Sequence, residues 1–523
     1  MTSRSRVLAA ALSATFLLTA CNAGSTSDDP TEGGGDVGGE STGGSGDGGE
    51  GTAAPGGEDT VRIGLVAEPA SLDFTTTDGA AIPQVLLYNV YESLVKVDQS
   101  GEIVPALASA WEVSEDGTTY TFTLETGVSF SNGEQFTAED VVSSFEAVQN
   151  DWTVSLKSQF DIIESVEATA DDEVVVTLSS PSNSFLYSLT TRVGAIFDSN
   201  SVDELATRPI GTGPYTFGEW NRGSSITLQR NADYWGEEPH FDQVQLSYFS
   251  DANALNNAML TDSIDVVGTV QAPEALSEFE GGDYQIIEGT TNGEVVLSFN
   301  NETEPFNDLR VRQAARHAID HQALLDTCWD GRGTLIGSMV PPTDPWYEDR
   351  TGDYPYDVEA AQALMAEAGA EGAEVRLRIP TLPYATACAP VVESMLEEAG
   401  FAVTIDDLEF PAAWIEDVFT NADYEMSIVS HVEPRDLGAV FGNPDYYIRY
   451  GTPELRALLD EADAGTEEVQ IEKMKEAAAL VSEDAASDFL FLLPNLIVAD
   501  PGITGLPENA ITESFDLSQL AGE

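Results

Sequence analysis

Pro105-Ala106-Leu107-Ala108 runs through Trp111-Glu112-Val113 into Ser114-Glu115-Asp116-Gly117-Thr118-Thr119-Tyr120-Thr121-Phe122-Thr123-Leu124. The second run alternates large apolar residues with threonine, the period of a half-buried strand. Asp-Gly between two such runs is a hairpin signal, because glycine takes the positive φ of a tight turn. Just beyond, Asn132-Gly133 marks another turn, and Thr137-Ala138-Glu139-Asp140 opens a helix carrying Val141, Val142, Phe145 and Val148. Thr137 is placed to cap that helix, with Asp140 at the capping-box position. A strand over 173–178 follows.

Upstream, residues 61–66 read as a short strand. Residues 83–97 carry Val85, Leu86, Tyr88, Tyr91 and Leu94 at helical spacing. Downstream, Ile210-Gly211-Thr212-Gly213-Pro214-Tyr215 is a rigid turn leading into a strand over 215–220. It lacks the Lys-Ser/Thr end of a phosphate loop. Residues 308–326 read as one helix with an apolar stripe from Val311 to Leu325, capped by Asn307 or Asp308. A strand over 375–379, a helix over 390–399 stopped by Gly400, and a strand over 402–405 make a β-α-β unit. That order predicts an α/β domain with parallel strands. Two late helices are expected over 453–464 and 467–483, and no internal repeat is visible.

Acidic residues number 91 against 21 basic, a formal net charge of -70. Nucleic-acid binders draw their affinity from basic residues on phosphate, so that class is excluded. Docking onto anionic lipid headgroups is excluded on the same ground. The charge reads first as a soluble, self-repelling surface, and only second as an attractor of cationic ligands.

The N-terminus has its own logic. Arg4 and Arg6 precede an apolar run from Val7 to Leu18, too short for a permanent span and therefore a removable export signal. Leu18-Thr19-Ala20-Cys21 resembles a bacterial lipobox, with Cys21 as the lipidated mature N-terminus. The alternative is an ordinary cut near Ala20 or Ala23. Residues 22–59 are rich in Gly, Ser, Thr, Asp and Glu and contain no aromatic residue. Such a segment cannot offset its chain entropy and is expected to be a disordered tether. Of the remaining cysteines, Cys328 and Cys388 are either one disulfide in an oxidising space or two buried thiols. The bridge would be worth roughly 3–4 kcal/mol by loop entropy.

The hairpin stretch, Gly127-Val128-Ser129-Phe130, Asn132-Gly133 and Phe136 to Val141 together resemble the family 5 extracellular solute-binding proteins. These are the oligopeptide-, dipeptide- and nickel-binding proteins of ABC importers. The resemblance continues through Gly211 to Tyr215, Arg230-Asn231-Ala232-Asp233-Tyr234-Trp235, Leu309 to Ala314 and Ala318-Ile319-Asp320. One departure is Glu125, where the family has Arg or Lys. The resemblance implies an α/β, type II periplasmic-binding-protein-like fold, with two lobes, a ligand cleft between them and an extra inserted domain. The implied boundaries are signal 1–21, tether 22–59, lobe I over 60–98, 209–295 and 488–523, inserted domain II over 99–208, and lobe III over 296–487.

Site candidates follow from family position. Peptide-binding members place an acid of domain III on the ligand's α-amino group, in a loop after a strand. Here that loop is Ser430-His431-Val432-Glu433-Pro434-Arg435-Asp436. Glu433 or Asp436 would meet a cation and Arg435 a carboxylate. The family's tryptophan and Asp-Pro pattern are absent from it. The dipeptide-type arginine is also absent from Pro380-Thr381-Leu382-Pro383-Tyr384, which points away from dipeptides toward longer peptides or another solute. Tyr384, Trp414, Tyr446 and Tyr447 are candidate pocket aromatics. Tyr88, Asn89, Asn183, Phe185, Gly213 and Tyr215 are cleft candidates by position.

His317 and His321 stand one helical turn apart with no further metal ligands nearby, so no metal site is expected. No cofactor is expected either. The implied function is a lipid-anchored receptor on the outer face of the membrane, monomeric, delivering a solute to a permease and its ATPase. Alternatives are a non-peptide solute (opine, sugar or metal chelate), a signalling receptor or secretion chaperone on the same fold, and a secreted hydrolase. The Gly-x-Ser-x-Gly pattern occurs only at 39–43, inside the tether and not between a strand and a helix, and no His-Glu-x-x-His pair is present, so neither supports the last.

Overall fold

Strands Ala108–Val113 and Thr119–Leu124 form the expected hairpin, with Trp111 opposite Phe122 and Val113 opposite Tyr120. Gly117 turns it at φ +71°. Asp116 accepts from the hydroxyls of Ser114 and Thr118 at 2.6 and 2.9 Å. Those hydrogen bonds hold its carboxyl below the usual range. Tyr120, Phe122 and Leu124 point inward between outward threonines. Strands Glu173–Leu178 and Ile163–Ala170 complete a four-stranded antiparallel sheet. Helix Ala138–Asn150 buries Val141, Phe145 and Val148, and the Thr137 amide donates to the Asp140 carboxylate at 2.9 Å. Each such buried large side chain contributes about 1.5–3 kcal/mol. The computed structural model describes residues 60–77, 79–270 and 272–522. The export signal, Cys21 and the tether lie outside the described residues.

A ten-stranded mixed sheet runs through both lobes. One end carries Ala402–Leu408, Glu374–Pro380 and Met426–His431, and the other Val266–Val267, Thr60–Leu65, Gln243–Tyr248, Ser225–Arg230 and Tyr215–Asn221. Between them lie two long antiparallel strands, Gln285–Phe299 and Ser487–Ala499, that pass from lobe to lobe. Their pairing is interrupted between Thr290 and Glu294, opposite Pro494 and Leu492. Proline has no amide hydrogen to donate to a ladder, so a break in register there is physically expected. The β-α-β unit is parallel: Glu374 to Pro380 align in step with Ala402 to Leu408. Cys328 and Cys388 are joined, with sulfurs 2.07 Å apart.

Three expected elements differ. The segment 83–97 is helical only over Ala81–Leu86. Tyr88 then takes a left-handed φ of 63°. The next residue, Asn89, is spent on the C-terminal segment, donating to Phe515 O at 2.9 Å and accepting from Leu517 N at 2.9 Å. The single helix over 308–326 is two, Leu309–Ala318 and His321–Cys328. Ile319 between them is extended, because Asp320 caps a new start through Ala323 N at 3.1 Å. The helix expected from Pro390 begins at Pro383 and carries Pro390 inside it.

Candidate functional site

The loop after strand Met426–His431 sits where the two lobes meet. Arg435 holds a left-handed φ of 58°. Its guanidinium lies 3.9 Å from the ring centre of Tyr187, in the lobe bearing the four-stranded sheet, and 4.9 Å from that of Trp346. Its Nε is 3.4 Å from the Asp344 carboxylate. A guanidinium between aromatic faces gains cation–π attraction, about 0.5–2 kcal/mol by degree of desolvation. Arg435 is thus engaged within the protein and not left free for a ligand carboxylate.

Glu433 faces Arg192, from the segment that bears the four-stranded sheet, and Glu513, from the C-terminal segment, which are paired with each other. Burial and the Glu513 charge raise the Glu433 carboxyl, against Arg192. Glu433 still reaches solvent, so burial acts on it less than on its neighbours. Asp436 is buried, and burial together with the Glu433 charge pushes its carboxyl well above the usual range. Asp344 rises to about 6 through burial, opposed by Arg435. His431 bonds Tyr447 Oη through Nε2 at 2.9 Å, and its Nδ1 stands 3.6 Å from Asp436. Burial lowers its ring to about 4 and keeps it neutral.

Glu294 completes the group and carried no signal strong enough to single it out. It opens the run Glu294-Val295-Val296-Leu297, where a charge at the head of an apolar strand is the only hint. It pairs across the sheet with His431. The carboxylate is 1% exposed, and its Oε2 has no hydrogen-bond partner among the described residues. Burial and the Asp436 charge push it well above the usual range. Among the described residues of this group, the carboxyls of Glu294, Asp344, Glu433, Asp436 and Glu513 stand with two guanidiniums, Arg192 and Arg435, and burial pushes Glu294 and Asp436 toward their neutral form.

Around this group stand the aromatic candidates. Tyr384 Oη accepts from Ser430 N at 2.9 Å, Trp414 Nε1 donates to Ser427 Oγ at 3.1 Å, and Tyr447 Oη pairs with Ser298 Oγ at 2.8 Å. Tyr446 packs edge-on against Phe419, which is partly exposed. Of the other position-based candidates, Tyr88 stands near Tyr187 and Glu513 of this group, and the rest are not brought to it. Asn89 is fully buried, and Phe185 packs on Tyr120 inside the four-stranded module. Tyr215 is buried, and Tyr88 Oη donates to Thr190 O. Gly213 serves a close backbone approach: a Cβ there would fall 2.5 Å from Asn89 O. Asn183 reaches the other lobe but grips protein, donating to Ala462 O and Gly465 O, both at 2.9 Å.

His317 contacts Pro355 O while His321 contacts Asp488, because the helix break separates them. Among the described residues, no group of three or more His, Cys, Asp or Glu side chains is placed to hold a metal ion. A recess of about 540 Å³ lined by Asn132, Glu134, Asp198 and Arg208 lies elsewhere. Its Asp198 is already bonded by Asn132 at 2.6 Å and Asn200 N at 3.0 Å, which makes it turn architecture.

Residues 102–450 match the bacterial extracellular solute-binding proteins, family 5 Middle. The chain belongs to that family. Family 5 is a class of binding proteins, not of enzymes. Heme-binding protein A of Haemophilus influenzae is 30% identical over 338 residues, covering 59% of this chain and 61% of that one. The dipeptide-binding protein of Escherichia coli is 29% identical over 325 residues, 57% and 60% of the two chains. The match thus spans about six-tenths of the length of these family 5 relatives. The substrate-binding protein CtaP of Listeria monocytogenes superposes with a TM-score of 0.81 at 21% identity, over 90% of this chain and 100% of that one. That likeness confirms the two-lobed fold. No described helix is long and apolar enough to cross a membrane.

Proposed function

We propose that this chain is a lipid-anchored extracytoplasmic receptor that captures a peptide between its lobes and delivers it to an ABC permease and its ATPase. The observation that carries the reading is the meeting of loop 432–436 with Tyr187, Arg192 and Glu513 from the other lobe. A ligand held there touches both lobes and so favours the closed arrangement over the open one. The carboxylates suit a cationic ligand, with Glu433, the one that reaches solvent, as the acceptor of its terminal ammonium. The dipeptide-binding relative supports a peptide as the solute. Absence of an arginine from 380–384 favours peptides longer than two residues, held through their main chain. Cys21 carries the lipid, 22–59 is the tether, and the lobe segments are those given by the family pattern. The receptor acts as a monomer.

Native mass spectrometry of the chain purified from its own host, followed by extraction of the bound molecule, tests the ligand. Peptides of mixed sequence are expected. A single opine, sugar or metal chelate would keep capture between lobes and discard the peptide. Labelling with radioactive palmitate, lost in Cys21→Ala, tests the anchor.

A further inference from the structure

Glu294 is held in an arrangement that the protein itself leaves incomplete. It lies where the crossing strand resumes pairing after its interruption. Its Oε2 is buried without a hydrogen-bond partner among the described residues, and so is Asp436 Oδ1. Its charged neighbours make their contacts elsewhere, although Arg435 Nε also lacks a hydrogen-bond partner among the described residues. His431, across the strand, gives Nε2 to Tyr447 and is neutral. Arg435 is spent on Asp344, Tyr187 and Trp346. Asp436 and Asp344 offer it only further carboxyl groups and no cation. A buried carboxylate with no cation is among the costlier groups a fold can keep, and it is ordinarily paired or hydrogen-bonded.

We propose that Glu294 and Asp436 together form a socket for a second cationic group on the ligand, an alkylammonium or guanidinium side chain. This rests on the reading of the chain as a peptide receptor and narrows it: the preferred peptides carry lysine or arginine. Glu433, nearer solvent, then receives the terminal ammonium, and the inner carboxylates receive the basic side chain. In the ligand-free protein a proton occupies the place of that cation and is released when the side chain enters.

The test uses calorimetry on the full chain with tripeptides of alanine carrying lysine or its uncharged isostere norleucine at each position. Agmatine serves as a dication that is not a peptide. Lysine is expected to be preferred by at least about tenfold at one position, the scale of a hydrogen bond to a charged group. Glu294→Gln should bring that ratio close to one. Equal binding of lysine and norleucine peptides, or an unchanged ratio in Glu294→Gln, overturns the socket. Agmatine binding that requires Glu294, with no peptide bound, keeps the socket and removes the peptide reading. No binding of any probe overturns the socket. Glu294→Met, of similar volume, is read in the same way should Glu294→Gln not fold.

Discussion

Two residues show how burial decides charge in this protein. Asp488 is fully buried, with Arg316 Nε at 3.2 Å and His321 Nε2 at 3.0 Å. Burial pushes its carboxyl up, but His321 and Arg316 outweigh that and hold it below the usual range. Arg316 is itself buried over the Tyr354 ring. Asp488→Asn would leave that guanidinium uncompensated, so a loss of about 3–5 kcal/mol is expected in urea denaturation. His431 behaves oppositely. Its ring is pushed down to about 4 from the usual 6.5 of a free histidine. Between those values the unfolded chain binds a proton that the folded chain refuses. Stability is therefore lost as pH falls through that window, by at most about 1.4 kcal/mol per pH unit. Denaturation midpoints from pH 7 to 4.5 should fall faster in the native chain than in His431→Gln. Parallel curves would show that His431 is not held neutral. Of this site, His431, Glu433, Arg435 and Asp436 were legible because they follow one strand. Glu294, Asp344, Trp346 and Tyr187 come from distant segments that only the fold unites.

At the scale of elements, the short helix Asn183–Ser188 of one lobe is clasped to helix Pro453–Ala464 of the other. Ser184 donates through its amide and hydroxyl to Asp463 at 2.9 and 2.7 Å, and Asn183 grips the carbonyls at the end of the partner helix. These bonds join the segment bearing the four-stranded sheet to the other lobe, so they stabilise any arrangement that keeps the two in contact. Asn183→Ala or Asp463→Ala should each weaken closure by about 1–2 kcal/mol. Small-angle scattering of the ligand-free variants should give a larger radius of gyration than the native chain, and an identical profile would remove this role. Elements with strong local signals were readable in advance. The hairpin turns on Asp116-Gly117, and the helices Pro453–Ala464 and Glu467–Glu483 begin at capping threonines. Elements decided by tertiary partners were not. Nothing local announces that Tyr88 leaves its helix so that Asn89 can hold a segment more than 400 residues away. Asp320 is a legible cap only once the break at Ile319 is known.

For the molecule as a whole, the charge of -70 acts on both stability and capture. Like charges repel in the compact state, and salt shortens their reach from about 10 Å at 0.1 M to about 3 Å at 1 M. Few of these acids have basic partners, since there are 21 Lys and Arg for 91 Asp and Glu. Raising sodium chloride from 20 mM to 0.5 M should therefore raise the thermal midpoint by several degrees. The same field draws in a cation, so salt should slow association of a lysine-bearing tripeptide by at least about tenfold. Dissociation should change far less, because Glu294 and Asp436, which hold the basic side chain, are buried and weakly screened. Stopped-flow rates at the two salt concentrations separate these effects. A salt effect confined to dissociation would mean that the acidic surface serves stability alone and that Glu433 and Asp436 act only after encounter.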